Sequence, residues 1–369
     1  MKTILRFFVS VTLFSLLLGA NRGVQAQTWS FTGSMETERA NQNATLLNSG
    51  DVLVAGGRQR GNYGLASAEV YNPTTGTFTS TGNLNTGRNS HTATLLNDGD
   101  VLIVGGTNET DSEITCLSSA ELYNPSTGKF TVTGSMQSGR CNFTATFLNS
   151  GMVLVVGGYN SNNTVLSSAE VYNPASGTFT VTGSLNTPRA GHTATLLANG
   201  EVLIAGGGNA SGYFTSAELF NPSTGTFTPT GSLNVARTLF TATLLTNGDV
   251  LVAGGENATS VWLASAEIYS PSTASWELTG SLNTSRFGQT ATLLTSGDVL
   301  IAGGNHSGSI SSAELYNPSS GTFSVTGSLN TARQDQPAVL LADGQVLVPG
   351  GYDGKGGNNG YLSTAELFH

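Results

Sequence analysis

Seven arginines, Arg39, Arg88, Arg140, Arg189, Arg237, Arg286 and Arg333, each stand 17 residues before a glycine: Gly56, Gly105, Gly157, Gly206, Gly254, Gly303 and Gly350. A second fixed interval of 20 residues runs from the alanine of each Ser-Ala-Glu or Thr-Ala-Glu (Ala68, Ala120, Ala169, Ala217, Ala266, Ala313) to the next arginine. Only the stretch from glycine to alanine changes, through 12, 15, 12, 11, 12, 10 and 15 residues. Self-similarity at about 50 residues, with all length variation in one connection, predicts a repeat architecture whose units differ on one face.

Each unit reads as four short strands. In the fifth, Thr241-Ala242-Thr243-Leu244-Leu245 is apolar and β-branched, and Asn247-Gly248 supplies the hairpin turn, since both residues tolerate positive φ. Val250-Leu251-Val252-Ala253 hardly alternates, which suits a strand covered on both faces. Ala266-Glu267-Ile268-Tyr269 is the third strand, Pro271 marks a turn, and Trp276-Glu277-Leu278-Thr279 is the fourth. No segment has helical period, and four antiparallel strands per unit predict an all-β propeller.

The blade number follows from the chain ends. A fourth-strand aromatic lies 10 residues before an arginine at Phe78, Phe130, Phe179, Phe227, Trp276 and Phe323, and once more at Trp29, ahead of the first unit. The last unit stops after its third strand, Ala365-Glu366-Leu367-Phe368. The amino-terminal strand is therefore expected to complete the last of seven blades, closing the ring and removing two exposed sheet edges.

These motifs resemble kelch repeats: the paired glycines, an aromatic in the third strand (Tyr71, Tyr123, Tyr172, Phe220, Tyr269, Tyr316, Phe368) and one in the fourth. The wording Thr-Ala-Thr-Leu-Leu followed by Val-Leu-Ile-Ala-Gly-Gly is similar to bacterial kelch proteins related to the central propeller of galactose oxidase. The resemblance spans 27–369 and departs in one respect: the fourth-strand tryptophan survives only as Trp29 and Trp276. It implies a fold, since one propeller hosts many activities.

Residues 1–26 read as a signal peptide: Lys2 and Arg6, an apolar stretch from Phe7 to Ala20, then Val24-Gln25-Ala26. That stretch is shorter than the ~20 residues of a spanning helix. A mature chain from Gln27, secreted or periplasmic, would lose Lys2, Arg6 and Arg22 and carry a net charge of −12. Such acidity excludes nucleic acid as partner, because phosphate contact needs free cations, and no membrane span or cofactor is expected. A monomer is expected.

The seven arginines face seven third-strand glutamates, Glu69, Glu121, Glu170, Glu218, Glu267, Glu314 and Glu366. Sevenfold repetition favours structural bracing over an anion site. Three residues after each arginine the repeats diverge, as Gln42, His91, Phe143, His192, Phe240, Gln289 and Gln336, expected around the top of the innermost strands. His91 and His192 lack a third partner for a metal site, so no metal is expected. Cys116 and Cys141 read as a disulfide joining blades two and three, against two separate thiols.

The variable loops combine Asn, Ser and Gly with aromatics, Tyr63, Tyr159, Tyr213, Trp262, Tyr352 and Tyr361. Rigid aromatic anchors among adaptable polar groups suit recognition of a protein or glycan ligand. With His91 and His192 they form the candidate ligand-binding set, and no catalytic residue is assigned. The competing expectation is a carbohydrate-active enzyme, a sugar isomerase, lyase or oxidase, with its site in the top funnel.

Overall fold

In the computed structural model the described residues are 27–61, 64–110, 113–257, 261–355 and 360–369. They form seven four-stranded antiparallel sheets and two small two-stranded ones, with no helix among the described residues. Blade one comprises Asn43–Leu46, Val52–Ala55, Ala68–Asn72 and Thr77–Ser80; blades two to six repeat it, starting at Thr92, Thr144, Thr193, Thr241 and Thr290. Neighbouring first strands touch one another around the whole ring, so the innermost strands surround the axis of a seven-bladed propeller.

Blade seven is completed from the amino terminus. Its strands are Val339–Leu340, Val346–Pro349, Ala365–Phe368 and Trp29–Phe31, the last paired through Trp29 with Phe368, Ser30 with Leu367 and Phe31 with Glu366. The Trp29 indole nitrogen donates to the Gly327 carbonyl at 2.8 Å, tying this strand to blade six. The first strand of blade seven has only two residues, where the others have four. Pro337 stands there in place of the threonine of blades two to six and the Asn43 of blade one, and a proline cannot donate to the ladder.

The uninterrupted apolar second strands are buried on both sides. Leu53 and Ala55 pack with Val101 and Ile103 of blade two, whereas Val52 and Val54 pack with Leu347 and Ala365 of blade seven. Alternate side chains thus serve opposite neighbours, and each fully buried Val or Leu contributes about 1.5–3 kcal/mol. The paired glycines follow because the seam closes above these strands. Gly56 and Gly57 have φ of +63° and +100°, and a Cβ on Gly56 would lie 2.5 Å from the Arg88 carbonyl oxygen of the next blade. The Gly57 amide donates to that same carbonyl at 2.9 Å.

The first-to-second and third-to-fourth turns share one face of the ring. The second-to-third loops and the blade-to-blade connections share the other, where residue pairs such as Ala40 with Arg58 and Thr238 with Glu256 bridge them. The variable loops are more ordered than a loop reading implies. Thr107–Thr110 pairs with Glu113–Cys116, and Gly208–Asn209 with Gly212–Tyr213, as hairpins standing above their blades.

Candidate functional site

All seven repeat arginines are fully buried, and each contacts the glutamate of its own blade at 2.6–3.2 Å. Arg237 shows the pattern. Its Nη1 donates to the carbonyls of Gly254 (2.8 Å) and Ser265 (3.0 Å), and its Nη2 to Ser265 Oγ (3.1 Å) and Glu267 Oε1 (2.8 Å). Glu267 also accepts from the amides of Asn234 and Val235 and from the Asn234 side chain. Burial pulls the Arg237 guanidinium below its usual pKa, and the Glu267 carboxylate opposes that pull. The fork therefore fastens the incoming connection to the ends of the second and third strands, away from solvent.

The position three residues after each arginine is likewise buried, with His91 at 4% and His192 at 5% exposure. The expected ring exists, but inside the blade seams rather than around an open funnel. Gln42, Gln289 and Gln336 donate through Nε2 to the carbonyls of Pro349, Ala253 and Ala302, which end the second strand of the preceding blade. His192 Nε2 meets Thr144 Oγ1 at 3.0 Å, and His91 packs where a Cβ on Gly56 would stand. Burial pushes both imidazoles down to about 3, with Arg88 and Arg189 adding to the effect. These neutral histidines wedge blades together and are out of reach of a ligand. A top-funnel site built on them and on the Arg and Glu side chains is closed to substrate for the same reason.

Cys116 and Cys141 form a disulfide, with Cα atoms 5.4 Å apart. Cys116 ends the loop hairpin of blade two, and Cys141 lies in the connection entering blade three, where it pairs with Tyr159. Tyr159 is half-buried at that junction, and the Tyr352 and Tyr361 rings pair edge-on at 5.3 Å over blade seven. Tyr63 lies outside the described residues.

The loop face gathers the remaining aromatics over blades four to six. The Tyr213 hydroxyl donates to Glu256 Oε1 at 3.0 Å, joining the loops of blades four and five. Desolvation raises the Tyr213 pKa, and the carboxylate holding its proton raises it further. Beside this pair a hollow of about 280 Å3 is bordered by Asn142, Asn209, Thr238 and Leu239. Further round, Trp262 stacks on Phe287 at 6.5 Å between ring centres and meets His306 at a tilt of 59° and 5.2 Å.

Leu239 and Phe287 escaped the sequence reading. The residue two after each repeat arginine is Asn41, Ser90, Asn142, Gly191, Leu239, Gly288 or Asp335, and all seven have φ between +48° and +63°. Five are glycine, asparagine or aspartate, which tolerate this region; serine and leucine do not, and holding leucine there costs roughly 1–2 kcal/mol. Leu239 is nonetheless 44% exposed at the inner rim. A leucine aligned with Asn, Gly and Asp was the available signal.

Among the described residues no three His, Cys, Asp or Glu side chains gather at metal-ligand spacing. His91 and His192, packed against Gly56 and Gly157 in separate seams, do not fit a shared metal ion.

Comparison with known proteins agrees with this architecture. The KLHDC2/KLHL20/DRC7 Kelch-repeats domain matches at residues 43–255 and again at 90–304. No curated protein sequence matches significantly. Among solved structures, a fungal alcohol oxidase of the AA5 family, in complex with copper, superposes with a TM-score of 0.75 at 17% identity, covering 93% of this chain and 76% of its own. YjhT superposes with a TM-score of 0.64 at 12% identity, covering 79% of this chain and 99% of its own. At such identities the likeness is one of fold. With seven paired-glycine blades and a family match over most of its length, the chain belongs to the kelch-repeat propellers.

Proposed function

We propose that this protein is an exported, monomeric binding module whose loop face takes a protein or glycan ligand over blades four to six. One observation carries the reading: Leu239 is held in the left-handed region and left 44% exposed, beside the Tyr213–Glu256 pair. The repeat turn imposes positive φ here in every blade, but only this copy fills it with a bulky apolar side chain, and a strained residue kept against its own preference is characteristic of ligand sites. Trp262 stacked on Phe287, with His306 tilted against the indole, extends the patch with aromatic surface next to polar loop groups. Export is supported by the leader-like residues 1–26, which lie outside the described residues, and by the Cys116–Cys141 disulfide, a bond that persists in oxidising compartments.

A glycan array and a surface-protein panel, probed with the purified chain from Gln27, test this directly. Leu239→Gly relaxes the backbone and deletes the apolar side chain, so it should leave folding intact while weakening binding severalfold. Trp262→Ala should act in the same direction. Undiminished affinity in both variants would remove the patch from consideration.

A further inference from the structure

The opposite face, formed by the hairpin turns, carries a second feature of different chemistry. Its turns hold Asp51, Asp98, Asp100, Glu201, Asp249, Asp298 and Asp343, against one base, Lys129. The other basic residues of the described chain are the seven buried arginines and Arg58, Arg60 and Lys355 of the loop face. Between blades the turns leave recesses. The one between blades one and two, about 420 Å3, is lined by three acids, Asp51, Asp98 and Asp100.

The equivalent recess between blades three and four is larger, about 640 Å3, and sets an apolar strip, Leu148, Met152, Val171, Val181 and Phe220, among polar neighbours such as Asn149, Thr180, Asn199 and Asn221. Met152 occupies the turn position that is Asp51 or Asp100 elsewhere, and Phe220 replaces the third-strand tyrosine. At the preceding seam the Tyr172 hydroxyl meets Thr133 Oγ1 at 2.9 Å; here Thr182 reaches only the Gly225 carbonyl. Met152 is 36% and Val181 53% exposed, so the recess presents apolar side chains to solvent. Glu201 sits at its edge, bonded to the neutral Asn199 amide, and keeps its charge unmatched.

We propose that this recess docks a basic segment of a partner protein, one aliphatic side chain entering between blades three and four while flanking Lys or Arg residues lie over Glu201 and the neighbouring acidic turns. Charge complementarity selects this occupant. An acidic rim repels anionic partners and attracts cationic ones over about a Debye length, and an apolar gap in that rim rewards a single buried aliphatic group. The recess is roughly the size of pockets that enclose a ligand. It lies on the face opposite the Tyr213–Glu256 patch, so the two sites stand or fall separately.

The probe is a fluorescein-labelled peptide with one leucine between two lysine pairs, followed by anisotropy on the chain from Gln27. A peptide with glycine for leucine should bind at least about tenfold more weakly, the loss expected for one buried aliphatic side chain. Met152→Asn and Val181→Thr, both at exposed positions, should each weaken the leucine peptide severalfold with unchanged melting temperature. Glu201→Gln should reduce the salt dependence, and Val325→Thr on blade six should change nothing. Equal binding of the two peptides, or full affinity in Met152→Asn and Val181→Thr, would reduce the effect to general attraction by an acidic surface and overturn the proposal.

Discussion

Arg237 and Glu267 meet at 2.8 Å with neither side chain exposed, although 30 residues of chain separate them. The pair is tolerated in the interior because Arg237 Nη1 and Nη2 and both Glu267 oxygens have hydrogen-bond partners, only the Arg237 Nε being left without one. Removing one member strands the other: Arg237→Met should lower stability by about 3–5 kcal/mol. The double variant Arg237→Met, Glu267→Leu should recover part of that loss. Urea melts of the three proteins measure it, and a single variant melting with the parent would contradict the bracing role.

Trp29 and Phe368 pack at 5.2 Å between their ring centres, and this contact closes the circle. Deleting residues 27–33 exposes the edge of Ala365–Phe368 and the apolar face under Trp29. A loss of several kcal/mol is expected, with increased self-association through the bared edge. Thermal melting with light scattering reads both effects.

Buried neutral histidines make stability depend on pH. His91 and His192 are lowered to about 3 in the fold, against about 6.5 in the unfolded chain. Above about pH 6.5 neither state is protonated at these groups, and their contribution is complete. As pH falls from there towards 3 only the unfolded chain takes up protons, so stability declines, by at most about 1.4 kcal/mol per pH unit for each histidine. His91→Gln with His192→Gln installs the residue found at Gln42, Gln289 and Gln336 and should flatten this part of the profile. Urea midpoints between pH 4 and 7 for parent and variant provide the check; parallel profiles would refute it.

The Cys116–Cys141 bond spans 25 residues and joins blade two to the connection into blade three. Cross-linking a loop of that length stabilises by about 3 kcal/mol through the unfolded chain. The double serine variant should lose about that much, and reductant should then have no further effect on its melting.

Much of the fold was legible because its determinants are local and repeated. The strand run Val250–Ala253, the Asn247-Gly248 turn and the glycine pair at Gly254 are each set by side-chain branching or allowed φ, and seven copies suppress ambiguity. The blade count came from arithmetic on Trp29 and Phe368, which the register confirms. His91 was harder. Its place three residues after Arg88 was visible, but whether it faces the axis or the seam depends on how two blades approach.

The sequence by itself determined a closed ring of seven units, since spacing and strand pattern are properties of the chain and closure follows from counting strands at its ends. Only the tertiary structure decided which polar groups are spent inside that ring and which meet solvent. The twist between blades buries Gln42 and His192, holds Leu239 outward, and opens the seam at Met152 while its counterparts stay lined with carboxylates. Those outcomes depend on distances between residues of different repeats, and a period along the chain carries no information about them.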